Sequence, residues 1–192
     1  MQYWVIPPEA NAAFVAQREN VLDTYALPQN AQRPVLCMDE QPVQVLKETR
    51  GPLAATKAHA QRVDYEYERA GTASIFMLTE PLSGWRTVRG RPQRTKVDWA
   101  IEMAKLLGTR YATAAKVLVV CDNLHTHTMG AFYEAFAPEK ARALVRRIEF
   151  RYTPKHGSWL NIAENELSSL TRQCLKDRRL GDIATLQTEA SV

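Results

Sequence analysis

The chain has 192 residues, 45% of them hydrophobic and 24% charged, with a formal net charge of +4. These proportions fit one well-buried globular domain and exclude wholesale disorder. No apolar run approaches the roughly 18 residues of a membrane span, the first residues lack the pattern of a signal peptide, and the net charge leans only mildly toward anionic partners.

Pro7 and Pro8 precede a helical stretch in which Phe14, Val21, Leu22 and Tyr25 recur at helical spacing until Pro28. Asn30 to Pro34 is a polar linker, and Val35 to Met38 reads as a short buried strand ending at Asp39. Pro52 to Gln61 reads as a loop. From Arg62 to Arg69 the residues alternate, with Val63, Tyr65 and Tyr67 on one face, and Gly71 reads as a tight turn into Thr72 to Thr79. Together these predict an antiparallel hairpin. Pro81 to Gln93 reads as a turn-rich loop.

Thr95 is predicted to cap a helix, with Asp98 three residues on and a stripe of Val97, Ile101, Ala104 and Leu107. Lys116 to Cys121 is a continuous apolar strand of the kind buried on both faces, and Asp122 follows it. Helices are predicted over Ala131 to Phe136 and Pro138 to Arg146, and a strand over Ile148 to Tyr152. A last helix from about Trp159 to Leu175 carries the seam Leu160, Ala163, Leu167, Leu170 and Cys174. This order predicts an α/β fold, a mixed sheet flanked by helices. Cys37, Cys121 and Cys174 are odd in number and widely spaced, so they read as reduced thiols in an intracellular setting.

Asp39 and Asp122 each close an apolar strand, where ligands gather in open α/β sheets. Either aspartate alone is more often a turn or cap residue, and Glu164 alone is more often a solvated helix residue. Three carboxylates brought together would repel and raise one another's pKa, which makes sense with a cation. Hard oxygen ligands favour Mg²⁺ or Mn²⁺, and two such ions about 3.5–4 Å apart can activate an attacking oxygen and stabilise a leaving one. Helix geometry leaves Glu164 and Glu166 as alternatives, because they flank opposite edges of the seam.

The blocks CMDE around Asp39, CDNLHTH around Asp122 and TPKHGSWLNIAENE around Glu164 resemble the catalytic blocks of DDE transposases, most closely the bacterial insertion-sequence branch of the Tc/mariner superfamily. WVIPPEANAAFVAQRENVLDTY, RVDYEYERAGTASIFMLTEPLSGW and KVDWA are also similar to segments of that group, so the likeness runs through almost the whole chain. The resemblance implies an RNase H-like fold and a metal-dependent nuclease and strand transferase. It implies Asp39, Asp122 and Glu164 as the catalytic, metal-binding residues, and its WLN-x-x-E spacing selects Glu164 over Glu166. The interval from Asp122 to Glu164 is longer than the superfamily's usual spacing, which extra residues over Pro138 to Arg147 would explain.

Asn123 and His127 complete a D-N-x-x-x-H block similar to the family's. Asn123 is expected to bond a metal-bound water and His127 to orient a carboxylate or contact phosphate, against the plainer reading that they cap the next helix. His125 and His127 do not make a zinc site, because no further ligand completes a tetrahedral set. Arg86, Arg89, Arg91, Arg94 and Lys96 form the densest basic segment, free of acids within itself, in a loop suited to a DNA backbone. Lys155, His156 and Trp159 adjoin Glu164 and are expected near the scissile phosphate, although Trp159 also suits a core anchor.

The expected organisation is a helical segment over 1–30 leading into a catalytic domain over 31–192, without helix-turn-helix modules before Asp39 and with a clipped last helix. Double-stranded DNA, as transposon ends and target, is the expected partner, with a homodimer left open and no membrane. The expected setting is the bacterial cytoplasm, nucleoid-associated when on DNA. The alternatives are a non-catalytic DNA-binding remnant and a purely hydrolytic nuclease.

Overall fold

A computed structural model describes residues 11–190. Pro7, Pro8 and any continuation of the last helix to Val192 lie outside the described residues. Five strands form one sheet: β1 (Val35–Glu48), β2 (Tyr67–Glu80), β3 (Trp85–Arg91), β4 (Val117–Cys121) and β5 (Ile148–Tyr152). Their spatial order is β3–β2–β1–β4–β5. The pairs β1–β2 and β2–β3 are antiparallel, whereas β1–β4 and β4–β5 are parallel. The helices are α1 (Ala12–Tyr25), α2 (Lys96–Gly108), α3 (Met129–Ala135), α4 (Pro138–Val145), α5 (Ile162–Leu170) and α6 (Ile183–Ala190).

Alternation along the strands builds a core on each face of the sheet. Leu36, Met38, Phe76, Leu78, Val119 and Cys121 pack against α2, α3 and α4. Cys37, Ile75, Met77, Leu118 and Val120 pack against α1, α5 and α6. All five β4 residues are fully buried, which accounts for its unbroken apolar run. Each such side chain contributes about 1.5–3 kcal/mol relative to exposure. Trp99 anchors α2: it is fully buried, stacks on Phe150, meets Phe132 edge-on and donates Nε1–H to Met38 Sδ at 2.7 Å. Among the described residues no helix is long and apolar enough to cross a membrane.

Several boundaries differ from expectation. The strand predicted to end at Asp39 runs on to Glu48, because β2 continues to pair with it after the pairing with β4 has ended at Cys37. That open side also tolerates Pro42, which lacks a ladder donor. The hairpin predicted around Gly71 is instead one strand, β2. Gly71, at φ 110°, lies in a bulge where two β2 residues oppose one on β1 between the Gln44 and Leu46 pairings. Residues 62–66, predicted as strand, belong to the exposed β1–β2 connection, with Tyr65 85% exposed. The loop predicted over Pro81–Gln93 contains β3, reached by a tight turn at Gly84, φ 70°.

In the first predicted stripe Val21 is buried, but Leu22 is 48% exposed; α1 docks through Val21, Thr24 and Tyr25. The predicted last helix divides into a 3₁₀ turn (Ser158–Leu160), α5 and a wide turn over Thr171–Leu175. The long interval between Asp122 and Glu164 is taken up by α3, α4 and β5.

Candidate functional site

Asp39 sits where β1 outruns β4, two residues past the last parallel pairing at Cys37, and Asp122 follows the last residue of β4. The two aspartates therefore lie on neighbouring parallel strands, each just past the end of their shared ladder. Strand alternation turns Asp39 to the α5 side with Cys37, and Glu40 to the α2 side with Met38. The Asp39 carboxylate accepts a hydrogen bond from Glu40 N at 2.8 Å. Burial, with the nearby charges of Glu164, Asp122 and Glu40, pushes its pKa up from 3.8 to about 7, against the Glu40 hydrogen bond.

The third carboxylate is set by the start of α5. Asn161, 1% exposed, caps that helix by accepting from Ala163 N at 3.2 Å and donates Nδ2–H to Met38 O at 2.8 Å. One amide therefore fixes both the helix start and its distance from the main chain beside Asp39. Glu164 falls in the first turn, where negative charge is favoured, and its charge reaches Asp39. Glu166 turns elsewhere, pairing with Arg86 at 3.0 Å.

His127 is fully buried between two carboxylates. Its Nε2 lies 2.9 and 3.1 Å from the Glu40 oxygens, and its Nδ1 lies 2.7 Å from Asp122 Oδ1. The Asp122 contact is an ion pair out of line for a hydrogen bond, so Oδ1 is buried without an aligned donor. Burial alone would lower the His127 pKa. Contacts with Asp122, Cys121 and Glu40 outweigh it and push the pKa up to about 12. The ring also sits 5.6 Å from Trp99, and the His127 carbonyl accepts from Tyr152 Oη at 2.8 Å. His127 is thus no helix cap; Thr128 holds the α3 N-cap position, and Asn123 and His125 are exposed.

The loop before α5 is tied to the same strand ends. Thr153 N donates to Cys121 O at 2.9 Å, and Gly157 N to Pro154 O at 2.8 Å. A Cβ at Gly157 would stand 2.5 Å from Pro154 Cγ, so the turn requires glycine. Lys155 and His156 are exposed. Trp159 is 53% exposed, which corrects its reading as a core anchor; Leu160, at 6%, fills that place.

The basic segment is not the free loop expected, since Arg86, Arg89 and Arg91 lie on β3. Arg91 is held by Asp98 at 3.0 Å and Glu102 at 2.7 Å, and Lys96 by Glu134 at 3.0 Å. Arg94 is exposed. Arg86 and Arg89 line a groove of about 560 Å³ with Glu166 and residues of α5 and α6. Arg86, Arg91 and Lys96 meet acids on α5, α2 and α3, of which only Asp98 lies close by in the chain.

Glu40 and Asn161 went unassigned in the sequence although both lie inside the quoted blocks. A glutamate directly after Asp39 and an asparagine three before Glu164 carry no local sign of burial, but an N-cap asparagine with an acid three residues later is a readable helix start. Among the described residues, no three His, Cys, Asp or Glu side chains are gathered closely enough to hold an ion. The burial of Asp39 and the negative charges of Glu164, Asp122 and Glu40 around it are nevertheless what a hard cation would relieve, so the oxygen donors here fit a divalent metal.

No curated protein shows a significant sequence match to the chain. Solved structures of similar fold include the Mos1 mariner paired-end complex with Mn, at 14% identity and a TM-score of 0.57, covering 98% of this chain and 56% of that one. The Mos1 strand transfer complex matches at 15% identity and 0.59, covering 98% and 55%, and the paired-end complex with Mg at 14% and 0.53. The chain therefore spans just over half the length of those transposase chains, and at this identity they establish the RNase H-like fold. A family model described as DDE superfamily endonuclease matches residues 34–187, and the chain belongs to that family.

Proposed function

We propose that the chain is a transposase catalytic domain that cuts DNA phosphodiesters and joins the freed 3′ ends to target DNA, using Asp39, Asp122 and Glu164 with Mg²⁺ or Mn²⁺. Residues 31–192 would form that domain and 1–30 lead into it. The observation that carries the reading is the placement of Asp39 and Asp122 on neighbouring parallel strands just past their shared ladder, with Glu164 in the first turn of a helix that Asn161 ties to Met38; burial and the surrounding charges push the Asp39 carboxyl up to about 7. A half-buried carboxylate with three others near it is costly without a cation. Membership in an endonuclease family and the metal- and DNA-bound Mos1 complexes support the same chemistry.

Divalent ions bound there would supply charge neutralisation and an activated oxygen nucleophile. Asp39, Asp122 and Glu164 would hold them, with two ions as the working stoichiometry. His127 would orient Asp122, and Asn123, exposed beside it, would bond water at the site. Arg86, Arg89, Arg94, Lys96, Lys155, His156 and Trp159 would bind duplex DNA, as transposon ends and target, the exposed pairs of Arg86 with Glu166 and Lys96 with Glu134 giving way, while Arg91 is held by the largely buried Asp98 and Glu102. Two copies acting as a homodimer, in a bacterial cytoplasm and on the nucleoid, complete the reading.

The test is incubation with supercoiled plasmid and end-labelled duplexes in Mg²⁺ or Mn²⁺. Nicking that disappears in Asp39→Ala and Asp122→Ala, with joined products, is expected. Nicking retained by both variants would remove the assignment, and nicks without joined products would make the protein a hydrolytic nuclease.

A further inference from the structure

Glu40 is the least expected residue near the site. It follows Asp39 but points to the opposite face of the sheet, and its side chain is only 4% exposed. The preceding residue on that face is the core methionine Met38, so the fold asks for an apolar side chain there. A carboxylate removed from water is costly unless paired and hydrogen-bonded. Glu40 faces His127 Nε2 with both oxygens, at 2.9 and 3.1 Å. The other ring nitrogen stands 2.7 Å from Asp122 Oδ1.

The location explains what the arrangement does. Past Cys37, β1 has no ladder to β4, so the main chain no longer sets the spacing between the Asp39 and Asp122 segments. The bridge Glu40–His127–Asp122 spans that gap from the α2 side. Trp99 and the Tyr152 hydroxyl hold the histidine in place. Carboxylates behind histidines are known to orient metal ligands in this manner; here the histidine's far neighbour is a carboxylate.

Resting on the metal-centre reading above, we infer that Glu40 is a positioning residue that acts through His127 to hold Asp122 in its ligand orientation. Glu40 does not touch substrate or metal. It keeps the imidazole beside Asp122, where Nδ1 stands 2.7 Å from Oδ1 and 3.3 Å from the main-chain carbonyl of the same residue, so that the position of Asp122 depends on the ring.

The experiment is calorimetric titration of the folded chain with Mn²⁺, without DNA, alongside thermal melting. Glu40→Ala should weaken Mn²⁺ binding about 10–100-fold. Near-isosteric Glu40→Gln should fall between wild type and Glu40→Ala, and it keeps the test available if the alanine variant does not fold. Glu102→Ala is the control: it removes another buried glutamate, 6% exposed and paired with Arg91, so it should lower the melting temperature while leaving Mn²⁺ affinity unchanged. Wild-type affinity in both Glu40 variants, or an equal loss in Glu102→Ala, overturns the inference. Asp122→Asn binding Mn²⁺ as tightly as wild type would overturn the metal-centre reading itself, an outcome separate from wild-type affinity in the Glu40 variants alone.

Discussion

The side-chain amide of Asn161 donates to the main-chain carbonyl of Met38 at 2.8 Å, fastening the start of α5 to β1 one residue before Asp39. Its other end caps α5. Asn161→Ala removes both bonds and leaves the Met38 carbonyl without this donor. The cap is worth about 1 kcal/mol, and a buried group left unpaired costs about 1–3 kcal/mol. The melting temperature should fall, with metal-dependent nicking falling further than stability explains. Asn161→Asp keeps the cap acceptor but loses the donor to Met38, so it should recover helix stability more than nicking.

The pH dependence of stability follows from Asp39. Its folded pKa of about 7 lies above the ordinary 3.8, so the folded state holds its proton more tightly than the unfolded chain does. Its stability contribution is fully present below pH 3.8 and is lost as pH rises through about 7. Without metal, Asp39→Asn should therefore melt higher than wild type at pH 8, and the gain should vanish near pH 4. Paired melts across this range measure it; a gain that grows toward low pH would contradict the cause given.

Arg86, Arg89 and Arg91 share a strand but should separate in their effects. The Arg86–Glu166 pair is surface-exposed, at 65% for the arginine, and such pairs are worth about 0–1 kcal/mol, so Glu166 can release Arg86 to a phosphate. Arg86→Ala and Arg89→Ala should weaken binding to any duplex and reduce the salt slope by about one phosphate contact each. Arg91→Ala should instead lower the melting temperature, because it leaves the largely buried Asp98 and Glu102 unpaired. Fluorescence anisotropy at several salt concentrations, set beside thermal melts, distinguishes the two classes.

Gly157 closes a turn in which an added methyl would meet the Pro154 ring at 2.5 Å. Gly157→Ala should shift the Lys155–His156 loop, reducing DNA binding and nicking while α5 and its Asn161 cap persist. Unchanged nicking would show that the loop lies outside the DNA path.

Elements governed by local rules were readable from the chain. The Thr95 and Asp98 side chains form the reciprocal cap at the start of α2, and β4 is buried on both sides as its apolar run required. Failures came where neighbours in space decide. The second half of β1, from Glu40 to Glu48, is half-exposed and has Val43, Val45 and Leu46 set among polar residues and Pro42, a weak strand signal that the pairing with β2 completes. Gly71 has a backbone suited to a turn, yet the ladder absorbs it as a bulge. The edge strand β3 sets only Trp85 and Val88 among three arginines, and Gln187 on α6 bonds its outer backbone at Val88 and Gly90, a cover invisible locally. At the site, Asp39, Asp122 and Glu164 stood out as residue types at strand ends and within a motif. The partners of His127 emerged only from the packing, because Glu40 lies 87 residues from it in the chain.

The central claim is that Asp39, Asp122 and Glu164 form one metal centre. Anomalous diffraction from crystals soaked in Mn²⁺ tests it most directly. The account predicts density within ligand distance of all three carboxylates, with Glu166 still beside Arg86. An ion bound elsewhere, or a Mn²⁺-saturated crystal with the three carboxylates beyond ligand reach of any ion, would contradict it.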